Sequence, residues 1–195
     1  MNPISPYKNI EQYTRVLLEP YQMNSDIRNS LKINLKKKVE KKCNKNGYVD
    51  EVYKIVTVQD GYLPVENLSG CGLYDIKYHC KICIPIENSI IISQVKVINQ
   101  ELVATINGPI MTFIPRDNVD TTIWDITDNY QHKQHKNIKL KIGDFVLIQI
   151  INKRINKNDL QIKTIGKLLD LANEEQIKTF YNSNNIIEQE SNFII

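Results

Sequence analysis

Few residues in this chain have types and spacing suited to chemistry. Cys80-Lys81-Ile82-Cys83 is a Cys-x-x-Cys pair preceded by His79, and His132 and His135 lie three apart further on. Together they would make a four-ligand zinc set. Cys80 and Cys83 fall on a stretch that reads as a strand, however, where residues three apart face opposite sides and cannot share an ion. No metal or other cofactor is expected. The chain has no phosphate-cradling Gly-Lys motif, no nucleophile placed beside a base and no aspartate cluster of the kind that holds catalytic metals. It reads as a non-enzyme. The remaining chemistry is cationic: Lys153, Arg154 and Lys157 in NKRINKND, with Lys96, Phe113 and Arg116 upstream. A basic surface with an aromatic platform suits phosphates and stacked bases of single-stranded nucleic acid, although a polar hairpin also needs charge for solubility. The scarcity of aromatics beside these cations implies weak, sequence-tolerant binding.

Those groups must be held by the elements the patterning predicts. Gln12–Leu18 is short, apolar and β-branched, and Glu19-Pro20 stops it. After Asn24-Ser25-Asp26, Ile27, Leu31, Leu35, Val39 and Cys43 recur every fourth residue, which predicts one amphipathic helix ending at Asn46-Gly47. Its other face carries Lys32, Lys36, Lys37, Lys38, Lys41, Lys42 and Lys45, read as a solvated face rather than a phosphate site. Strands follow at Tyr48–Gln59 and Leu73–Ile84, joined by a loop from Gly61 to Gly72. Past Pro85 the chain is almost wholly β, with strands at Ser89–Asn99, Glu101–Ile106, Ile110–Ile114, Asp144–Asn152 and Leu160–Gly166, a set that suits a small closed barrel. Pro115 to Lys141 reads as an irregular polar insertion containing Trp124, Tyr130, His132 and His135. Leu169, Leu171, Ala172, Ile177 and Phe180 suggest a short helix before an Asn-rich end, Tyr181 to Ile195, expected to be mobile.

The 195 residues suffice for two small domains. A net charge of +3 is too small to make the whole molecule a polyanion binder, so any nucleic-acid contact must be local. The start lacks a secretory pattern and no apolar run reaches membrane-spanning length, so a soluble intracellular chain without membrane contact is expected. Four cysteines, unevenly placed, are expected to be reduced thiols. The 31 Ile and 22 Asn reflect A/T-rich codons and carry no mechanism.

Several stretches resemble the stalk subunit of DNA-directed RNA polymerases, the family that includes the seventh subunit of RNA polymerase II, its archaeal counterpart and a small poxvirus subunit. They are Leu18-Glu19-Pro20-Tyr21 with Asp26-Ile27-Arg28-Asn29, Cys43 to Val49, and Leu73 to Tyr78. Gln94-Val95 through Gly108-Pro109 to Pro115, and Ile155 to Leu160 with Ile165 to Leu168, complete the set. The likeness runs from about Tyr13 to Asp170. It departs from the cellular pattern in a tip loop with fewer glycines and in a longer tail.

The resemblance implies an α+β chain: a small αβ, truncated RNP-like docking domain over 1–84, a five-stranded OB-fold barrel over 85–170 and a helix and tail over 171–195. It implies a non-catalytic stalk subunit that docks through Gly61, Tyr62, Leu63, Pro64, Gly70 and Gly72. The implied RNA-binding residues are Lys96, Phe113, Arg116, Lys153, Arg154 and Lys157. Its expected partners are the largest and other core subunits and nascent single-stranded RNA, with a fourth-subunit-like stalk partner left open. A viral source would place it in host-cytoplasm factories and the virion, a cellular one in the nucleus. The rival readings are a free-standing OB-fold RNA-binding protein of translation or RNA metabolism, and a purely structural interaction module.

Overall fold

The computed structural model describes residues 3–65, 69–126, 130–133 and 139–182. Among the described residues the chain is mostly β, with a closed five-stranded barrel and two α-helices. The first half is an antiparallel four-stranded sheet in the order β1-β4-β3-β2, built from β1 (Tyr7–Leu18), β2 (Lys42–Asn44), β3 (Gly47–Val58) and β4 (Gly72–Cys83). Helix α1 (Ile27–Val39) lays Leu31 and Leu35 on one face of that sheet, against Val16, Leu18, Val49, Val52, Ile76, Tyr78 and Cys80. β3 and β4 lie within one residue of their expected limits, and β1 starts five residues earlier, at Tyr7.

The helix, in contrast, stops short of Cys43. Lys41 takes a positive φ of 57° and the chain turns back as β2. The Asn44 side-chain oxygen accepts from the backbone N–H groups of Asn46 and Gly47, 2.8 and 3.1 Å, closing the β2–β3 turn. The continuation of the four-residue period through Cys43 is accidental: the Cys43 side chain belongs to the other core.

The barrel strands are β5 (Ile90–Ile98), β6 (Leu102–Asn107), β7 (Ile110–Pro115), β10 (Phe145–Arg154) and β11 (Ile162–Leu171). They close in the order β5-β6-β7-β11-β10, all antiparallel except the β7–β11 pair. Inward residues alternate along each strand, so Ile110, Ile114, Ile162, Leu168, Ile148 and Ile150 fill the centre. Thr112 and Thr164, both buried, share a 2.7 Å hydroxyl hydrogen bond across the parallel pair.

The insertion between β7 and β10 is less polar in three dimensions than in sequence. After a 3-10 turn at Arg116–Asn118 it sends Val119, Trp124, Tyr130 and Leu140 into the barrel core. Trp124 is fully buried and its indole N–H donates to the Leu169 carbonyl at 3.0 Å. A two-residue hairpin, β8 (Trp124–Asp125) with β9 (Gln131–His132), frames it. These apolar residues follow no helical or strand period, which is why their spacing suggested only a loop. At the C-terminal side α2, over residues 174–182, buries Phe180 in the same core. Tyr181, expected in a mobile end, stands edge-on to Phe145 and Phe180 at 6.1 and 5.5 Å. Residues 183–195 of that end lie outside the described residues.

Glycine 166 marks how closely β11 approaches its neighbours. A Cβ there would stand 2.5 Å from Ile148 Cγ2 and 2.8 Å from Thr112 Cγ2. Gly166→Ala should therefore lower unfolding stability by about 1–3 kcal/mol through overpacking. Urea unfolding measures it; an unchanged midpoint would contradict this close approach.

Candidate nucleic-acid interface

Because strand side chains alternate, the outward residues of the barrel line up across strands. Pairing puts Val97, Ala104, Phe113, Ile165 and Asn152 in one row from β5 to β10. Beside it, Met111, Lys163 and Arg154 form a second row across β7, β11 and β10. A groove of about 300 Å³ lies over these rows, with Phe113 and Ile165 as its apolar floor and Lys153, Arg154 and Lys163 as its cations. A half-buried ring beside exposed cations on a pleated surface offers a base a stacking face and its phosphate a counter-charge.

The structure thus brings together three of the six residues expected to meet RNA, namely Phe113, Lys153 and Arg154. Lys153 also donates to the Pro85 carbonyl at 2.9 Å, so part of its role is internal. Lys96, Arg116 and Lys157 do not line the groove. Lys96 sits at the bulge between Val95 and Val97 on β5 and donates to Gln94 Oε1 at 2.9 Å. Arg116 is exposed in the 3-10 turn after β7. Lys157 stands on the β10–β11 turn, which is fastened to β2: Cys43 N–H donates to Asp159 O and Asn158 N–H to Cys43 O, both at 2.8 Å. Lys163 and Ile165 were the residues missed. Their parity on a strand whose inward residues are Ile162, Thr164 and Gly166 was the available signal.

Of the seven lysines read as one helix face, Lys41, Lys42 and Lys45 lie beyond the end of α1. Lys36 pairs with Glu40 at 3.2 Å, Lys41 with Asp50 at 2.6 Å, Lys42 donates to the Lys37 carbonyl at 3.0 Å and Lys38 to that of Arg15. These pairings suit a solvated surface.

At the far end of the first sheet lies the tip. Tyr62 exchanges backbone hydrogen bonds with Leu73, 3.0 and 2.9 Å, and Leu73 pairs in turn with Leu17. Gly61 lies flat on the Tyr74 ring, where no side chain would fit, and Gly70 has a positive φ of 68° beside Pro20. Gly72 opens β4, with Met23 Sδ 3.0 Å from where a Cβ would stand. Tyr62, Leu63 and Val65 are 46, 61 and 95 % exposed, and Leu17 and Tyr21 add to the same end, while Pro64 is half-buried. These exposed apolar side chains are the candidates for a partner contact at this end.

No protein-family model matches the chain. A protein of Acanthamoeba polyphaga mimivirus named as a DNA-directed RNA polymerase subunit is 36 % identical over 186 residues, covering 92 % of this chain and 93 % of its own length. The chain belongs to the DNA-directed RNA polymerase subunits.

In this polymerase subunit the Cys-x-x-Cys pair is divided between two cores, Cys80 with the α1 sheet and Cys83 with the barrel. His132 is buried edge-on to Trp124, 5.4 Å between rings, with Nε2 3.4 Å from Asp170 Oδ1. His135 lies outside the described residues. Among the described residues no three His, Cys, Asp or Glu side chains gather as a metal site, and no helix is long and apolar enough to cross a membrane. Burial pushes the Cys43 thiol up to about 11 and the Cys80 thiol up to about 12. Burial raises Cys83 as well. A raised thiol stays protonated and unreactive near neutrality. At pH 8 a thiol alkylator should therefore leave Cys43, Cys80 and Cys83 unmodified in the native protein and label them after unfolding. Rapid native labelling of Cys80, read by mass spectrometry, would contradict its burial.

Proposed function

We propose that this chain is the non-catalytic stalk subunit of its polymerase. In this reading, residues 1–84 form a truncated RNP-like unit that docks on the core enzyme by its tip, and residues 85–170 an OB-type barrel that meets nascent RNA in initiation and elongation. The observation that carries it is the separation of two unlike surfaces. An apolar tip stands at one end of the first sheet, and an aromatic and basic groove lies on the barrel beyond its other end. Between them runs the twelve-residue β4, roughly 40 Å at strand rise. A stalk needs this division.

The barrel's strand order, with its first strand pairing the fourth and its third the fifth in parallel, supports the OB assignment. The buried thiols support a role without nucleophilic chemistry. The partners are the largest and other core subunits, with room for a fourth-subunit-like companion, and RNA without sequence preference. The viral relative supports assembly in cytoplasmic factories and packaging in the virion.

Purification of the tagged chain from its native cells or virions tests this directly. The two largest polymerase subunits should stay bound through a salt wash in near-equal amounts, and ribosomal proteins or free RNA in their place would point to a free-standing RNA-binding protein. Leu63→Asp should reduce that recovery several-fold while leaving RNA affinity of the isolated chain unchanged. Phe113→Ala should cost about 1–3 kcal/mol in single-stranded RNA binding through lost stacking. Arg154→Ala with Lys163→Ala should flatten the dependence of log affinity on log salt by about 1.4, two contacts at about 0.7 each. An unchanged affinity and salt slope in fluorescence anisotropy titrations would remove the groove from the RNA path.

A further inference from the structure

Strand β2 covers the outer edge of β3 only over Gly47–Val49. Among the described residues no strand pairs with the rest of that edge, through to Val58. Alongside it a groove of about 500 Å³ runs between β3 and α1. Its strand wall is the unbroken run 54–61. The run follows β3 to its last residue, Val58, and on to Gly61, and Tyr74 of β4 completes this side of the groove. The helix wall is Ile27, Arg28, Leu31 and Lys32, a single stripe of α1. Leu31 is buried, while Arg28 and Lys32 are exposed. With Lys54 the wall carries three cations, against Asp60 as the one carboxylate among the described lining residues. Val56 and Val58, 39 and 40 % exposed, give the edge an apolar character.

We infer that this groove docks an extended acidic segment of another polymerase subunit, which adds to β3 as a strand and sets its carboxylates against Arg28 and Lys32. Strand addition draws its affinity from main-chain hydrogen bonds and its selectivity from neighbouring side chains. Here both elements are present side by side. The three register shifts between β3 and β4 twist this edge, so a flat, unmatched strand pairs poorly with it. The cations of the helix wall discriminate by charge. This inference rests on the chain docking in a polymerase, but it concerns a surface distinct from the tip loop.

The test uses the polymerase isolated through the tagged chain, with a photo-crosslinking amino acid at Val56 and, in a separate preparation, at Leu63 as the tip reference. Crosslinks from Val56 should map by mass spectrometry to an acidic stretch of one polymerase subunit. Their yield should fall at least several-fold in the Arg28→Glu, Lys32→Glu double variant, whose two exposed positions leave the fold intact. A Leu63 crosslink without one from Val56 would overturn the groove alone and keep tip docking. Val56 crosslinks to a basic segment or to nucleic acid, or a yield indifferent to the charge reversal, would also overturn it. Silence at both positions would count against docking of the whole N-terminal half.

Discussion

Strand β4 is the constraint on which the rest of the molecule depends, because a single strand serves both cores. Tyr78 and Cys80 pack under α1, while three residues later Cys83 packs in the barrel with Cys43 and Tyr48. Between them stands Lys81, 4 % exposed, its ammonium 4.8 Å from the centre of the Tyr7 ring and 3.9 Å from Asp50. A buried cation is tolerable only where such partners replace its water, so Lys81 fixes β1, β3 and β4 together at the waist. The turn of β10–β11 fastens to Cys43 from the barrel side, and Gly108 at the β6–β7 turn meets the Tyr7 hydroxyl.

A waist built this way has consequences for a subunit proposed to touch other molecules at two distant places. The sheet and the barrel are separate but joined at the waist by backbone hydrogen bonds, Ile4 N–H to Ile90 O and the Cys43 pair with the β10–β11 turn, and the short connection 84–89 is not Gly- or Ser-rich. In the proposed stalk this joint keeps the RNA-facing groove at a set distance and angle from the core. It also explains why the most basic-looking hairpin of the sequence serves largely as structure: the β10–β11 turn is part of the joint, and the cations that face outward stand on the strands before and after it.

Much of this was legible in the residues. Strand periods placed all five barrel strands and the long strands of the first sheet to within two residues, since alternation follows from the pleat, except at the start of β1 and the end of β11, each five residues further out; Leu169 and Leu171, read as helix, close β11 instead. Cys80 and Cys83 were separable for the same reason. Three features were not legible. Cys43 continued the four-residue period of α1 by chance, and only the positive φ of Lys41 reveals the turn. Trp124, Tyr130 and Leu140 reach the core from an aperiodic insertion, where burial depends on tertiary contacts alone. The outward parity of Lys163 was readable on its own strand, but the parallel pairing with β7 that sets it beside Met111 and Phe113 is a long-range register that no local pattern encodes. The tip residues were named only through the resemblance; Tyr62 and Leu63 stand exposed there, and Pro64 is half-buried.

The most direct measurement of the account is an electron cryomicroscopy map of the complete polymerase containing this chain. The account predicts density for the chain at the periphery of the enzyme, with Tyr62, Leu63 and Val65 inserted into the core and the Phe113 face turned outward along the path of emerging RNA. A map in which the barrel is buried against the core and the tip projects into solvent would contradict it.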